Sequence, residues 1–141
     1  MYTESMLAII LDFYGVIFDP TTHLPMTGVV EFLQLIKQKN IPCAIASSSD
    51  SRSIQDFLEE HHLSEYIRVI VGGDKVEALK PDPECYVSAA DYLQFQYSDC
   101  CIIDDTLAPL QQAEALGFQT IHFKPGETSF LGIVHLLQLY A

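Results

Sequence analysis

Leu7-Ala8-Ile9-Ile10-Leu11-Asp12-Phe13-Tyr14-Gly15-Val16 carries more structural information than any other stretch of the chain. Residues 7–11 form an unbroken apolar run, the pattern of a short strand buried on both faces of a helix-covered sheet. The run stops at Asp12, so this strand hands a carboxylate to its C-terminal end. Further apolar runs follow, separated by stretches of helical spacing. Gly28–Lys39 places Val29, Leu33 and Ile36 on one side of a first helix. Cys43–Ala46, opened by Pro42 and closed by Ser47-Ser48-Ser49, is a second strand. Ile54, Phe57, Leu58 and His61 mark a second helix, and Ile67–Val71 a third strand stopped by Gly72-Gly73. Asp82-Pro83 reads as an N-cap with proline in the first turn of a helix that runs to Tyr92 or Leu93. Cys100–Ile103 is a fourth strand ending in Asp104-Asp105. Leu110, Ala113 and Leu116 line a fourth helix, with Gly117 as its C′ residue. Phe118–Phe123 predicts a fifth strand, and Phe130 to about Tyr140 a last helix with Leu131, Val134, Leu137 and Leu139 apolar.

Alternating strands and helices predict an α/β protein: a three-layer α/β/α, Rossmann-like core around a parallel five-stranded sheet. The length of 141 residues fits one domain over positions 1–141. Ligands in such sheets bind beyond the carboxyl ends of the strands. Asp12, Ser47 and the Asp104-Asp105 pair fall there, and Lys80 lies in the loop between the third strand and its helix.

Composition narrows the partners. The chain is 49% hydrophobic and 18% charged, so it can build a core. Seven basic residues against 19 acidic ones give a formal charge of -12, which argues against nucleic-acid binding. No apolar run reaches the ~18 residues of a membrane span, and residues 1–6 lack the basic region of a signal peptide. Four cysteines, two of them adjacent, do not form a disulfide framework or a zinc-ligand spacing. A reduced, cytoplasmic protein is expected.

Asp12-Phe13-Tyr14-Gly15-Val16, Ser47, Lys80-Pro81-Asp82-Pro83-Glu84 and Asp104-Asp105 follow one another in an order that resembles the haloacid dehalogenase-like (HAD) hydrolase superfamily. The likeness is closest to the branch of β-phosphoglucomutase and phosphoglycolate phosphatase, and it covers about Leu7 to Phe123. Each motif alone has a plainer reading: the acidic pair as a helix cap, the serines as a turn, Lys80 as a solvated loop residue. Capping does not require all of them at one edge of one sheet. The resemblance implies a phosphatase in which Asp12 is the nucleophile and forms an aspartyl-phosphate. It implies Mg²⁺ held by Asp12, by the backbone carbonyl of Tyr14 and directly by Asp105, with Asp104 in an outer, water-mediated place. Ser47, with Ser48 and nearby amides, would hold phosphoryl oxygens, and Lys80 would balance the charge of Asp12 and the phosphoryl group. The expected partner is a phosphorylated substrate, small or macromolecular.

Two departures qualify the likeness. Phosphatases of the family carry Asp-x-Asp, whose second carboxylate serves as general acid and base; here Tyr14 stands there, a poor general base at neutral pH. The Asp-x-Tyr-Gly pattern is similar to that of haloacid dehalogenases, but an anionic haloacid meets an obstacle in Asp104-Asp105 unless a cation sits there. The helical cap that follows the first motif in relatives is also missing, since residues 18–27 run straight into the Gly28 helix. A capless site is open to water, and it lacks the dehalogenases' halide-holding groups. The alternative to a phosphatase with reduced activity is therefore a catalytically silent HAD module that binds through its open face. The last helix and the loop from Phe13 to Pro25 are expected to offer a homodimer contact. Elsewhere, His61-His62 read as a helix end, His122 as a strand residue, His23 as a solvated loop and Cys100-Cys101 as core filling. Asp74 invites comparison with receiver domains, but those place the acidic pair after strand one and the lysine after strand five.

Overall fold

The computed structural model describes residues 7–139. Positions 1–6, read above for a signal peptide, and Tyr140, the expected end of the last helix, lie outside them. Five strands alternate with five helices: β1 (Ala8–Leu11), α1 (Val29–Gln38), β2 (Cys43–Ala46), α2 (Ser51–Glu60), β3 (Val69–Val71), α3 (Glu84–Leu93), β4 (Cys100–Asp104), α4 (Leu107–Glu114), β5 (Gln119–His122) and α5 (Phe130–Leu136). The strands pair in parallel in the order β3-β2-β1-β4-β5. β1 and β4 run in register over four residues, from Ala8 opposite Cys100 to Leu11 opposite Ile103.

The side-chain alternation of a strand splits the core into two layers. Ile9 and Leu11 join Ile45, Cys101 and Ile103 against α1, α2 and α5. Ala8 and Ile10 join Ala44, Ala46, Cys100 and Ile102 against α3 and α4. Because both faces of β1, β2 and β4 are covered, every residue of these strands is buried. That is why they read as continuous apolar runs. All four cysteines are buried and unpaired with one another, and burial pushes the Cys43 thiol up, beyond the range in which it would ionise.

Some boundaries differ from the sequence expectations. β3 starts at Val69, not Ile67, because residues 64–66 form a 3₁₀ turn whose Ser64 carbonyl accepts the Ile67 amide at 3.2 Å. The N-cap of α3 is Pro83, not Asp82, although the Asp82 carboxylate accepts the Glu84 amide at 2.9 Å. Leu116 lies past the end of α4 and is exposed. In α5 the buried residues are Phe130 and Ile133, three apart, and Leu131 falls on the opposite side with 69% of its surface exposed. Between β1 and α1 there is no helix among the described residues. The connection folds onto itself instead: Phe18 bridges both Tyr14 and Pro25, and the Phe13 carbonyl accepts the amides of Ile17 and Phe18 at 2.9 Å.

Candidate active site

β1 sits at the centre of the sheet; the chain leaves it toward β2 and β3 on one side and returns through β4 and β5 on the other. The crevice at such a switch point is the natural ligand site of an open parallel sheet. A cleft of about 520 Å³ opens there, lined among others by Asp12, Tyr14, Ser47, Lys80, Asp105 and Pro109. The seven residues given site roles by the family resemblance, Ser48 and Asp104 included, line this cleft.

Asp12 and Asp104 extend β1 and β4 by their last residue, so the parallel register brings their carboxylates side by side. The Lys80 ammonium bridges them, donating to Asp12 Oδ1 and to Asp104 Oδ2 at 2.8 Å each. Both partners and the lysine are largely removed from water, where such charge-assisted bonds are strongest. Lys80 is presented by the loop before α3. Glu84, in the first turn of that helix, accepts the amides of Glu77 and Ala78 at 3.0 Å each and so ties the loop down.

The oxygens of Asp104 are fully engaged. Oδ1 accepts the Thr106 amide at 2.9 Å, and Oδ2 accepts from Lys80 and from the Tyr86 hydroxyl. Tyr86 is fully buried on α3, and the Lys80 ammonium lies 5.0 Å from its ring centre, within cation–π range. Sequence reading missed this tyrosine. Its signal was a core tyrosine in a helix right behind the lysine motif, since a buried hydroxyl needs a partner.

Asp105 stands on the other side of Asp12. Its carboxylate fits against the bare Cα of Gly15, which holds φ at +86°, a conformation open to glycine. A ligand atom from each of Asp12, Asp104 and Asp105 lies within 4.8 Å of the others. The His122 Nε2 is 3.1 Å from the Asp105 carbonyl oxygen, so this histidine orients the backbone of the acidic pair from β5. Ser47 is buried at the end of β2, and its hydroxyl accepts the Ser49 amide at 3.1 Å. The ring of Tyr14 points outward with 55% of its surface exposed and rests on Phe18, ring centres 5.5 Å apart.

Three carboxylates and one ammonium leave the cleft floor short of positive charge. Burial drives the Asp12 carboxyl up to about 8, and Asp104 and Asp105 add to the rise against the pull of Lys80. Burial also opposes ionisation of Asp104, but the Lys80 charge and the bonds from Lys80, Tyr86 and Thr106 outweigh it and hold that carboxyl below its ordinary value. Burial works against the Lys80 ammonium too, yet its two carboxylates keep it charged. A divalent cation beside Asp12 and Asp105 would remove the deficit, and hard oxygen donors of this kind suit Mg²⁺.

The other candidates lie away from the cleft. Asp74 accepts the amide and hydroxyl of Ser51 and so ties the turn after β3 to the start of α2. His23 stacks on Phe18 in the connection after β1, and His61 packs on Phe57 at the end of α2. No described helix is long and apolar enough to cross a membrane.

Comparison with known proteins agrees with this geometry. Residues 3–123 match the haloacid dehalogenase-like hydrolase family. The chain is 31% identical over 110 residues to a phosphorylated carbohydrates phosphatase of Thermotoga maritima, covering 78% of this chain and 47% of that protein. It is 28% identical over 115 residues to phosphoglycolate phosphatase 1 of Pseudomonas aeruginosa, covering 82% of this chain and 42% of that one. The chain thus spans under half the length of these curated relatives. In fold it superposes on a HAD-superfamily hydrolase of Ehrlichia chaffeensis with a TM-score of 0.83, at 17% identity, covering 98% of this chain and 99% of that one. With the sheet order, the strand-end aspartates and the match over most of its length, the chain belongs to the haloacid dehalogenase-like hydrolase family, and phosphatases are among its relatives.

Proposed function

We propose that this hydrolase is a Mg²⁺-dependent phosphatase that passes the phosphoryl group of its substrate through Asp12. The observation that carries the reading is the Lys80 ammonium fixed at 2.8 Å from both Asp12 and Asp104 at the mouth of the sheet. Asp12 is the one of the three carboxylates at the end of the central strand; it lines the cleft, and one of its oxygens is held by Lys80. Asp12, Asp105 and the Tyr14 carbonyl would hold the cation, whose chemistry is to neutralise the meeting of a carboxylate with a phosphate dianion. The three hydrogen bonds that Asp104 already accepts suit it to an outer place, where it fixes Lys80.

In the first step an Asp12 carboxylate oxygen attacks phosphorus, the bond from phosphorus to the substrate oxygen breaks, and that oxygen leaves with the electron pair. In the second step water attacks the aspartyl-phosphate, freeing inorganic phosphate and the Asp12 carboxylate and losing its proton to solvent. Lys80 and Ser47 stabilise charge on the phosphoryl oxygens throughout. With tyrosine at position 14, the carboxylate that would activate that water from this position is missing, so dephosphorylation is the slow step.

The tyrosine also favours a second reading, a silent module that binds metal and phosphate without turnover. One assay decides between them: Mg²⁺-dependent hydrolysis of p-nitrophenyl phosphate with Asp12→Asn as control. Turnover that needs both the metal and Asp12 supports the phosphatase. Turnover untouched by Asp12→Asn refutes it. An absence of turnover leaves the binding module.

A further inference from the structure

The surroundings of Tyr14 restrict which phosphate esters the site can use. The Tyr14 hydroxyl makes no hydrogen bond to another described residue, and no carboxyl group stands at position 14 to give a proton to a departing oxygen. Tyr14 lines the cleft with its ring against Phe18, and Phe18 in turn lies on His23 with centres 5.6 Å apart. Ala108 and Pro109 supply an apolar wall to the same cleft. Leu79 and Leu107, which flank the cleft residues in sequence, expose 53% and 49% of their surface. The Tyr14 ring and the Ala108-Pro109 wall thus border a charged floor.

Building on the phosphatase reading, we propose that the substrate is a phosphorylated phenol, whose ring lies against Tyr14 and whose oxygen leaves as the phenolate. A general acid is worth roughly 10²–10⁴-fold, and its loss falls on esters whose oxygen needs a proton to depart. A phenol, with a pKa near 10, releases its oxygen as an anion far more readily than an aliphatic alcohol, which is about as weak an acid as water. Offset stacking of the leaving ring on Tyr14 adds to what area burial alone gives. The bond made is Asp12 oxygen to phosphorus, the bond broken is phosphorus to phenolic oxygen, and the phenolate takes its proton from solvent afterwards.

The test compares kcat and KM for phenyl phosphate and for a simple alkyl phosphate, in wild type and in Tyr14→Asp, Tyr14→Phe and Tyr14→Ala. The proposal expects wild type to favour the aryl ester by at least ~10²-fold in kcat/KM. Tyr14→Asp, which restores a proton donor, should raise alkyl turnover and narrow that ratio by tenfold or more. Tyr14→Phe should keep the aryl KM, and Tyr14→Ala should raise it. Circular dichroism checks that each variant folds, and the Phe and Ala pair carries the test if the Asp variant does not. Free phosphotyrosine and a phosphotyrosine peptide, run side by side, separate a small source from a macromolecular one, and preference for either over the alkyl ester supports the proposal. Equal use of aryl and alkyl esters, or a ratio unmoved by Tyr14→Asp, overturns it while Asp12-dependent turnover leaves the phosphatase reading standing. Loss of turnover for every ester would overturn both.

Discussion

Gly15→Ala offers a sharp perturbation of the acidic floor without touching a charged group. A Cβ at this position would lie 2.2 Å from Asp105 Oδ2 and 2.8 Å from its Cγ, where ordinary contact begins at 3.4 Å. The Asp105 carboxylate would have to swing away from Asp12. Metal sites tolerate about ±0.2 Å in ligand distance, so the displacement is far outside what a bound cation accepts. Losing even an orienting partner of a metal ligand typically costs 10–100-fold in affinity, equivalent to about 1.4–2.8 kcal/mol. The loss here should be at least that large. The backbone at φ +86° adds roughly 1–2 kcal/mol of strain for a residue with a side chain. Titrating Mg²⁺ into wild type, Gly15→Ala and Asp105→Asn, with thermal unfolding and aryl phosphate turnover as readouts, measures both effects. The two variants should share a weakened Mg²⁺ response. A folded Gly15→Ala protein with the wild-type midpoint would refute the assignment of Asp105 as a direct ligand.

Two further outcomes follow from the same geometry. Tyr86→Phe deletes the hydroxyl that bonds Asp104, and a hydrogen bond to a charged group is worth ~1.5–3 kcal/mol; urea unfolding at pH 7 should show a loss in that range, and an unchanged midpoint would contradict the bond. In EDTA, stability should fall as pH rises, because the Asp12 carboxyl is raised from 3.8 to about 8 in the folded chain. The folded state therefore binds more protons than the unfolded chain between those values, and the slope is at most ~1.4 kcal/mol per pH unit; a flat profile from pH 5 to 7, or an Asp12→Asn protein with the same slope, would contradict it.

Much of the fold was legible because β1, β2 and β4 are covered on both faces and so appear as bare apolar runs. The clustering of the candidate site was legible for a related reason: Asp12, Ser47 and Asp104-Asp105 interrupt those runs at the same end of each strand. Other parts depend on pairings that the one-dimensional pattern does not carry. Tyr86 looks like any aromatic on an amphipathic helix, and its hydroxyl partner comes from a strand that follows a turn and a 3₁₀ segment later. Gly15 and Asp105 meet only because β1 and β4 are neighbours. Leu131 is apolar in the sequence yet exposed in the fold, because a helix of seven residues buries only one narrow stripe, and Phe130 and Ile133 take it. Ile67 read as strand because its β-branched side chain fits one, while the 3₁₀ turn before it fixes its amide elsewhere.

The account rests on Asp12 as a phosphoryl acceptor within an assembled cation site. Beryllofluoride with Mg²⁺ mimics the acyl-phosphate without needing turnover, and ¹⁹F NMR reads its adduct directly. One stoichiometric adduct is expected, lost in Asp12→Asn and on removal of Mg²⁺. No adduct in the wild type, or an equal one in Asp12→Asn, would contradict it.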